Sequence, residues 1–379
     1  MKKSILILLG LLILYSCEEK NEKKENSVKQ YTIEQFLENE NSFANGFSSD
    51  KKNVLLTSNR SGIYNMYTTK SEGGELIPIT KSDSASVFGI SYFPEDDRIL
   101  FRMDGNGDEI FKIYMKDSSG IKNLTPINDV RALFRGWSED GKSFFYGSNE
   151  RDSKFMDHFE MDIATFESTL IYQNNDGMDF GGMSEDRNYV LLTKTINTND
   201  SDLFLLNTKT NESVKINDNL SGNSPQDFDP DGKSFYYTTD DNAEFSYLMK
   251  YNLEDRTKTK VVEKDWDINS FYFTRNGKYK VLFTNEDAKS VMEVKDASTN
   301  EIVTFSDINN QNITGARFSR DESMAILTAS GSNMPTNSYS YTIANKEYHQ
   351  LTDVLNKEIN VDDLVTAEVV RYKSFDGLE

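Results

Sequence analysis

Apolar and polar positions along this chain recur in a fixed order with a long period. Anchor residues at Phe47, Phe93, Trp137, Met183, Phe228, Phe273 and Phe318 stand 46, 44, 46, 45, 45 and 45 residues apart. A register that regular over most of a sequence marks a repeat architecture. The fifth copy, Phe228-Asp229-Pro230-Asp231-Gly232-Lys233-Ser234-Phe235-Tyr236-Tyr237, shows the unit: an anchor, a polar turn, then an apolar run. The corresponding turns elsewhere are Ser49-Asp50, Glu95-Asp96, Glu139-Asp140, Glu185-Asp186, Arg275-Asn276 and Arg320-Asp321. Three of the seven continue with Gly141, Gly232 or Gly277, and Asp-Gly or Asn-Gly between apolar runs is a strong hairpin signal.

A third apolar run follows, as in Ile110-Phe111-Lys112-Ile113-Tyr114, and then a shorter fourth, as in Ile77-Pro78-Ile79-Thr80. Four short strands in ~45 residues make one propeller blade. A lone four-stranded sheet has two apolar faces that only neighbouring blades can cover, so the blades close into a ring. The pattern thus predicts an all-β fold, a seven-bladed β-propeller of four-stranded antiparallel blades over residues 43–352. Pro78 falls in a fourth, outermost strand, where a missing N–H costs no ladder bond, and the pattern puts none of the six prolines inside a second or third run.

The flanks read differently. Lys2-Lys3 precede an apolar run over 5–14, too short for a bilayer that needs about 20 residues. It stops at Leu14-Tyr15-Ser16-Cys17, which resembles the lipobox of bacterial lipoproteins. That resemblance implies a signal peptide over 1–16, lipidation of Cys17, and a lipid anchor in the outer membrane of a bacterial envelope, facing the periplasm or the cell surface. Cys17 is the sole cysteine, so no intrachain disulfide forms. The charged stretch 18–30 serves as a tether. Thr32-Ile33-Glu34-Gln35 then reads as a capping box, with Tyr31 and Phe36 forming a hydrophobic staple, so a short helix completes the segment 17–42.

Beyond the ring, 353–363 is polar and 365–375 reads as an extended strand running into the turn signal Asp376-Gly377. Residues 353–379 are expected to be a hinge into a further domain absent from this chain.

The formal charge is −20, which excludes phosphate-backbone binding and hence a nucleic-acid partner. No G-x-S-x-G nucleophile elbow occurs, and the two histidines, His158 and His349, fall in repeat strands as packing or surface residues. No catalytic triad can be assembled, and no cofactor is implied. The segment 104–109 starts like a calcium loop but has Glu109 where glycine is needed. Asp227, Asp229 and Asp231 alternate along one segment, yet Asp231 already serves a turn, so no metal site is assigned.

Turns between second and third strands emerge on one face of the ring. Arg60 and Arg151 there are candidates to meet a carboxylate of a peptide or partner domain, with Asn149, Glu150 and Asp152 beside Arg151. The competing explanation is that turns themselves demand Asn, Asp and Gly.

Three stretches carry a family resemblance. Val370-Arg371-Tyr372-Lys373-Ser374-Phe375-Asp376-Gly377-Leu378-Glu379 resembles the passage from propeller to α/β-hydrolase domain in prolyl oligopeptidase family serine peptidases, the acylaminoacyl-peptidase branch in particular. Tyr31-Thr32-Ile33-Glu34-Gln35-Phe36 resembles their opening helix, and Asn149-Glu150-Arg151-Asp152 a blade-three turn; the repeats are similar to TolB-like ones. The resemblance implies a substrate-gating propeller that admits short peptides to a catalytic domain and is inactive alone. The alternative is a complete lipid-anchored propeller that binds a protein or glycan ligand.

Overall fold

The turn after each anchor decides the fold, because it sends the chain from a blade's first strand into its second. The computed structural model describes residues 29–378; the leader and Cys17 lie outside them. In blade five, β17 (Asn223–Phe228) ends at the anchor, Gly232 N–H donates to Asp229 O at 2.8 Å, and β18 (Ser234–Thr239) begins. Gly232 has φ +70, and Gly141 and Gly277 sit alike at +69 and +70. Lys51, Arg187 and Glu322 occupy the same turn position with φ of 61, 58 and 59. A non-glycine residue there costs conformational energy, and the acidic residue one position earlier helps hold it. Asp50, Asp186 and Asp321 each accept a nearby serine hydroxyl, Ser48, Ser184 and Ser319, at 2.7–2.8 Å. The acidic turns of the repeat are thus a folding device.

The described residues form seven antiparallel sheets over 42–78, 87–123, 132–172, 179–215, 223–262, 267–296 and 312–350. Six have four strands in sequence order; blade six has three, β21 (Asp267–Phe273), β22 (Tyr279–Glu286) and β23 (Lys289–Asp296). Its fourth strand shrinks to the single bridge Lys295–Ile302. Pro78 closes β4 (Ile77–Pro78), an outermost strand as expected. Pro335 departs from expectation: it lies in the third strand β26 (Met334–Thr342) of blade seven. The ladder tolerates it because the register is broken there, between the Ala329 and Gly331 pairings, so no bond is lost.

Every first strand carries a register shift against its second, for example between Pro225 and Asp227 in blade five. Bulges increase twist and re-aim side chains, here at the strands around the central channel. The core lies between blades: Phe93 and Leu100 of blade two pack with Phe144 and Tyr146 of blade three. Blade seven meets blade one without a shared strand. Ile326 packs with Val54, Leu56 and Tyr67, Ala44 N–H donates to Ser338 Oγ at 3.1 Å, and Lys51 pairs with Asp321.

Helix α1 (Ile33–Leu37) has the expected capping box at Thr32 and Gln35, and the Tyr31 and Phe36 rings meet edge to face at 6.0 Å. Residues 353–363 clip it down: Tyr31 donates to Asp363 at 2.5 Å and Gln35 to Glu358 at 2.7 Å. The expected strand 365–375 does not form: the segment joins no sheet among the described residues. It hooks onto second-to-third-strand turns through Ala367 N–H to Ser332 (2.8 Å) and Arg371 to Asp287 (2.6 Å).

Candidate functional site

The bulged first strands of blades one, two, three and seven, with the anchor turn of blade six, surround a central cavity of about 1160 Å3. Its two mouths differ in chemistry. One is built from the anchor turns. The residue two places after each anchor reads Ser49, Glu95, Glu139, Glu185, Pro230, Arg275 and Arg320, so glutamates on blades two to four face arginines on blades six and seven. Arg320 crosses the channel to Glu95 at 2.9 Å and donates to Asp140 O at 3.4 Å, and Arg275 donates to Ser138 O at 3.5 Å. The guanidinium of Arg320 lies against Gly141, where any side chain would displace it. Burial raises the Glu139 pKa against the pull of Arg275, and burial together with Arg320 lowers that of Arg275. The Arg320–Glu95 pair bridges these opposed arcs.

The other mouth opens on the face that carries the turns between second and third strands. Phe43, Tyr64, Phe88 and Phe111 follow one another there, with centroids 6.5, 4.8 and 5.9 Å apart. Arg102 lies over Phe88 at 5.3 Å and Phe111 at 5.0 Å. Deeper in the channel Arg317 donates to Asn45 O, and burial lowers its pKa. Burial also pushes the Asp227 carboxyl up to about 7, although it accepts from Phe273 N–H at 2.8 Å.

The residues expected to meet a ligand have structural partners of their own. Arg151 is held by Asp157 at 2.7 and 2.8 Å and by Asn174 O at 2.7 Å, so its guanidinium is already occupied within blade three. Asn149 accepts from Arg131 N–H at 2.7 Å, just ahead of the blade's first strand, and Asp152 accepts from Lys154 N–H at 2.9 Å within its turn. Glu150 is exposed, and Arg60 lies 4.0 Å from Glu40. Asp104 and Asp108 accept backbone N–H groups of their own loop, as a turn requires. Asp229 pairs with Lys250 at 2.6 Å and Asp231 accepts from Lys233 N–H at 2.9 Å, so the alternating carboxylates do not converge.

His158 is 1% exposed and packs against Tyr172 at 6.0 Å and Phe180 at 5.3 Å, between blades three and four. Burial, helped by Arg135, pushes its pKa down to about 4 from the ordinary 6.5. The unfolded chain takes up this proton near pH 6.5 and the folded chain does not, so stability falls as pH drops from 6.5 towards 4. Replacing His158 with Phe is expected to remove about 2 kcal/mol of the loss between pH 7 and pH 5. Urea unfolding at the two pH values checks this; an unchanged difference would clear His158.

A ring of repeated antiparallel blades around a channel with unlike mouths is a β-propeller. More narrowly, the chain belongs to the family of the prolyl oligopeptidase N-terminal β-propeller domain, which matches residues 79–354. It is similar in fold to apo prolyl oligopeptidase B from Galerina marginata, with TM-score 0.64 and 17% identity over 90% of this chain and 55% of that one. A prolyl endopeptidase whose inter-domain dynamics were analysed gives TM-score 0.63 and 12% identity over 86% of this chain and 52% of that one. TolB from Acinetobacter baumannii gives 0.50 and 16%, over 79% and 76%. The chain thus spans about half the length of the prolyl oligopeptidase structures it matches. No curated protein matches it.

Proposed function

We propose that this ring is the substrate-gating half of a serine peptidase for short peptides, working against an α/β-hydrolase domain and inactive without it. The observation that carries this reading is membership, over 79–354, in the propeller family of prolyl oligopeptidase. The surface agrees with it. Helix α1 and the tail 353–378 lie on the face of the open mouth, and they expose Ile33, Leu37, Val365, Val370, Tyr372 and Phe375. A hydrolase domain seated there would cover this apolar surface and receive what the open mouth presents. The opposite mouth is pinned by Arg320 and Glu95, so peptides reach the catalytic serine from the open side. We further propose that a lipid on Cys17 holds the enzyme at the outer membrane.

The test is to recover from the native membrane the polypeptide that carries this propeller and treat it with a fluorophosphonate serine probe. Labelling, with cleavage of short peptides, is the expected result. An unlabelled, inactive polypeptide would overturn the peptidase reading in favour of a binding protein, and recovery from the soluble fraction would overturn the anchor.

A further inference from the structure

The chain carries a net charge of −20, yet its channel is lined by five basic side chains against three acidic ones. Two of the basic groups are consumed locally, Lys51 by Asp321 and Arg320 by Glu95. Arg317 has a backbone carbonyl for a partner, with no carboxylate pairing among the described residues. Arg102 stands apart. It is exposed at the open mouth and has neither a hydrogen bond nor an ion pair among the described residues, although 62 acidic residues were available to the sequence. Phe88 and Phe111 hold it in place, and ring contacts consume none of its N–H donors. A guanidinium fixed by aromatic rings with its donors free is a preorganised receptor for a planar anion, because little side-chain freedom remains to be lost on binding.

We propose that Arg102 is an anion subsite that captures a carboxylate of the peptide as it enters the ring, so that this protein selects peptides by negative charge. The inference rests on the peptide reading above and gives it a substrate class. An acidic protein repels acidic peptides at long range, and the Arg102 guanidinium supplies the local attraction that such peptides need. The carboxylate belongs either to the peptide C-terminus or to an acidic side chain, and the same chemistry serves both.

Calorimetric titration of this chain separates these sources with three probes: N-acetylated tetra-alanine with a free C-terminus, its C-terminal amide, and the amide with one glutamate in place of alanine. The free acid or the glutamate peptide is expected to bind about tenfold more tightly than the plain amide, the worth of one charge-assisted hydrogen-bond pair. Whichever probe gains the advantage identifies the source. Arg102→Gln should remove the advantage and leave the plain amide unchanged, while Arg102→Lys retains part of it. Equal binding of all three probes, or an advantage that survives Arg102→Gln, would overturn the subsite and leave the peptidase reading standing. Failure of every probe to bind would overturn peptide capture by the ring itself. A thermal melt matching the unsubstituted chain shows that each variant is folded.

Discussion

Replacing Phe144 with alanine is expected to destabilise the ring by about 3–5 kcal/mol, the cost of deleting a fully buried aromatic ring from a packed core. Phe144 is 0% exposed. Its ring lies 5.7 Å from Trp137, 5.9 Å from Phe134 and 6.0 Å from Tyr146, inside a cluster that joins blade three to Phe93 and Leu100 of blade two. The void would open between blades, where neither sheet can collapse without breaking its own ladder. A lowered urea midpoint at unchanged m-value checks this. A shift below 1 kcal/mol would show that the blades carry their stability separately.

Asp157→Ala comes second. Asp157 is nearly buried and accepts from Arg151 at 2.7 and 2.8 Å and from Asn174 N–H at 2.8 Å. Burial works to raise its pKa, but Arg151 and the Asn174 N–H outweigh burial and hold it below the usual carboxylate range. Losing one partner of a fully buried pair costs about 3–5 kcal/mol, and the Arg151 side chain is 36% exposed, so about 2–3 kcal/mol is expected here. Because the folded-state pKa is depressed, this stability is present above the unfolded pKa near 4 and is lost as pH falls below it. A double-mutant cycle with Arg151→Ala should show most of the cost as coupling; additive losses would assign the bonds no mutual role.

The ring was legible because its causes are local. Anchor, turn and apolar run each lie within one hairpin, and seven copies average out the ambiguity of any single strand. The shortened fourth strand of blade six was not legible, because Ile302 and Val303 look apolar enough to pair and the turn at Asn300 has counterparts at Asn211, Arg256 and Lys346 in blades where the strand forms. Pro335 misled for the opposite reason: a break in register, invisible in composition, makes room for it. The functional side chains were harder. Arg151 looked free because its sequence neighbours are turn residues, whereas Asp157 comes back to it across the β10–β11 hairpin, β10 being Ser143–Asp152 and β11 Phe155–Asp162. Arg275 and Arg320 were read as turn residues. The signal for the bridged mouth lay in the same alignment of repeats, where the second place after the anchor changes from Glu in blades two to four to Arg in blades six and seven. Arg102 left no such trace, since its significance lies in the partner it lacks, which depends on the whole ring.

The proposed gating is tested most directly by giving the native polypeptide that carries this propeller one scissile sequence in two forms, as a free short peptide and inside a stable folded protein. The account predicts rapid cleavage of the peptide and none of the folded protein, because the proposed seating of a hydrolase domain on the ring face would admit only single extended chains. Cleavage of both at comparable rates would contradict it, and the propeller would then be no filter.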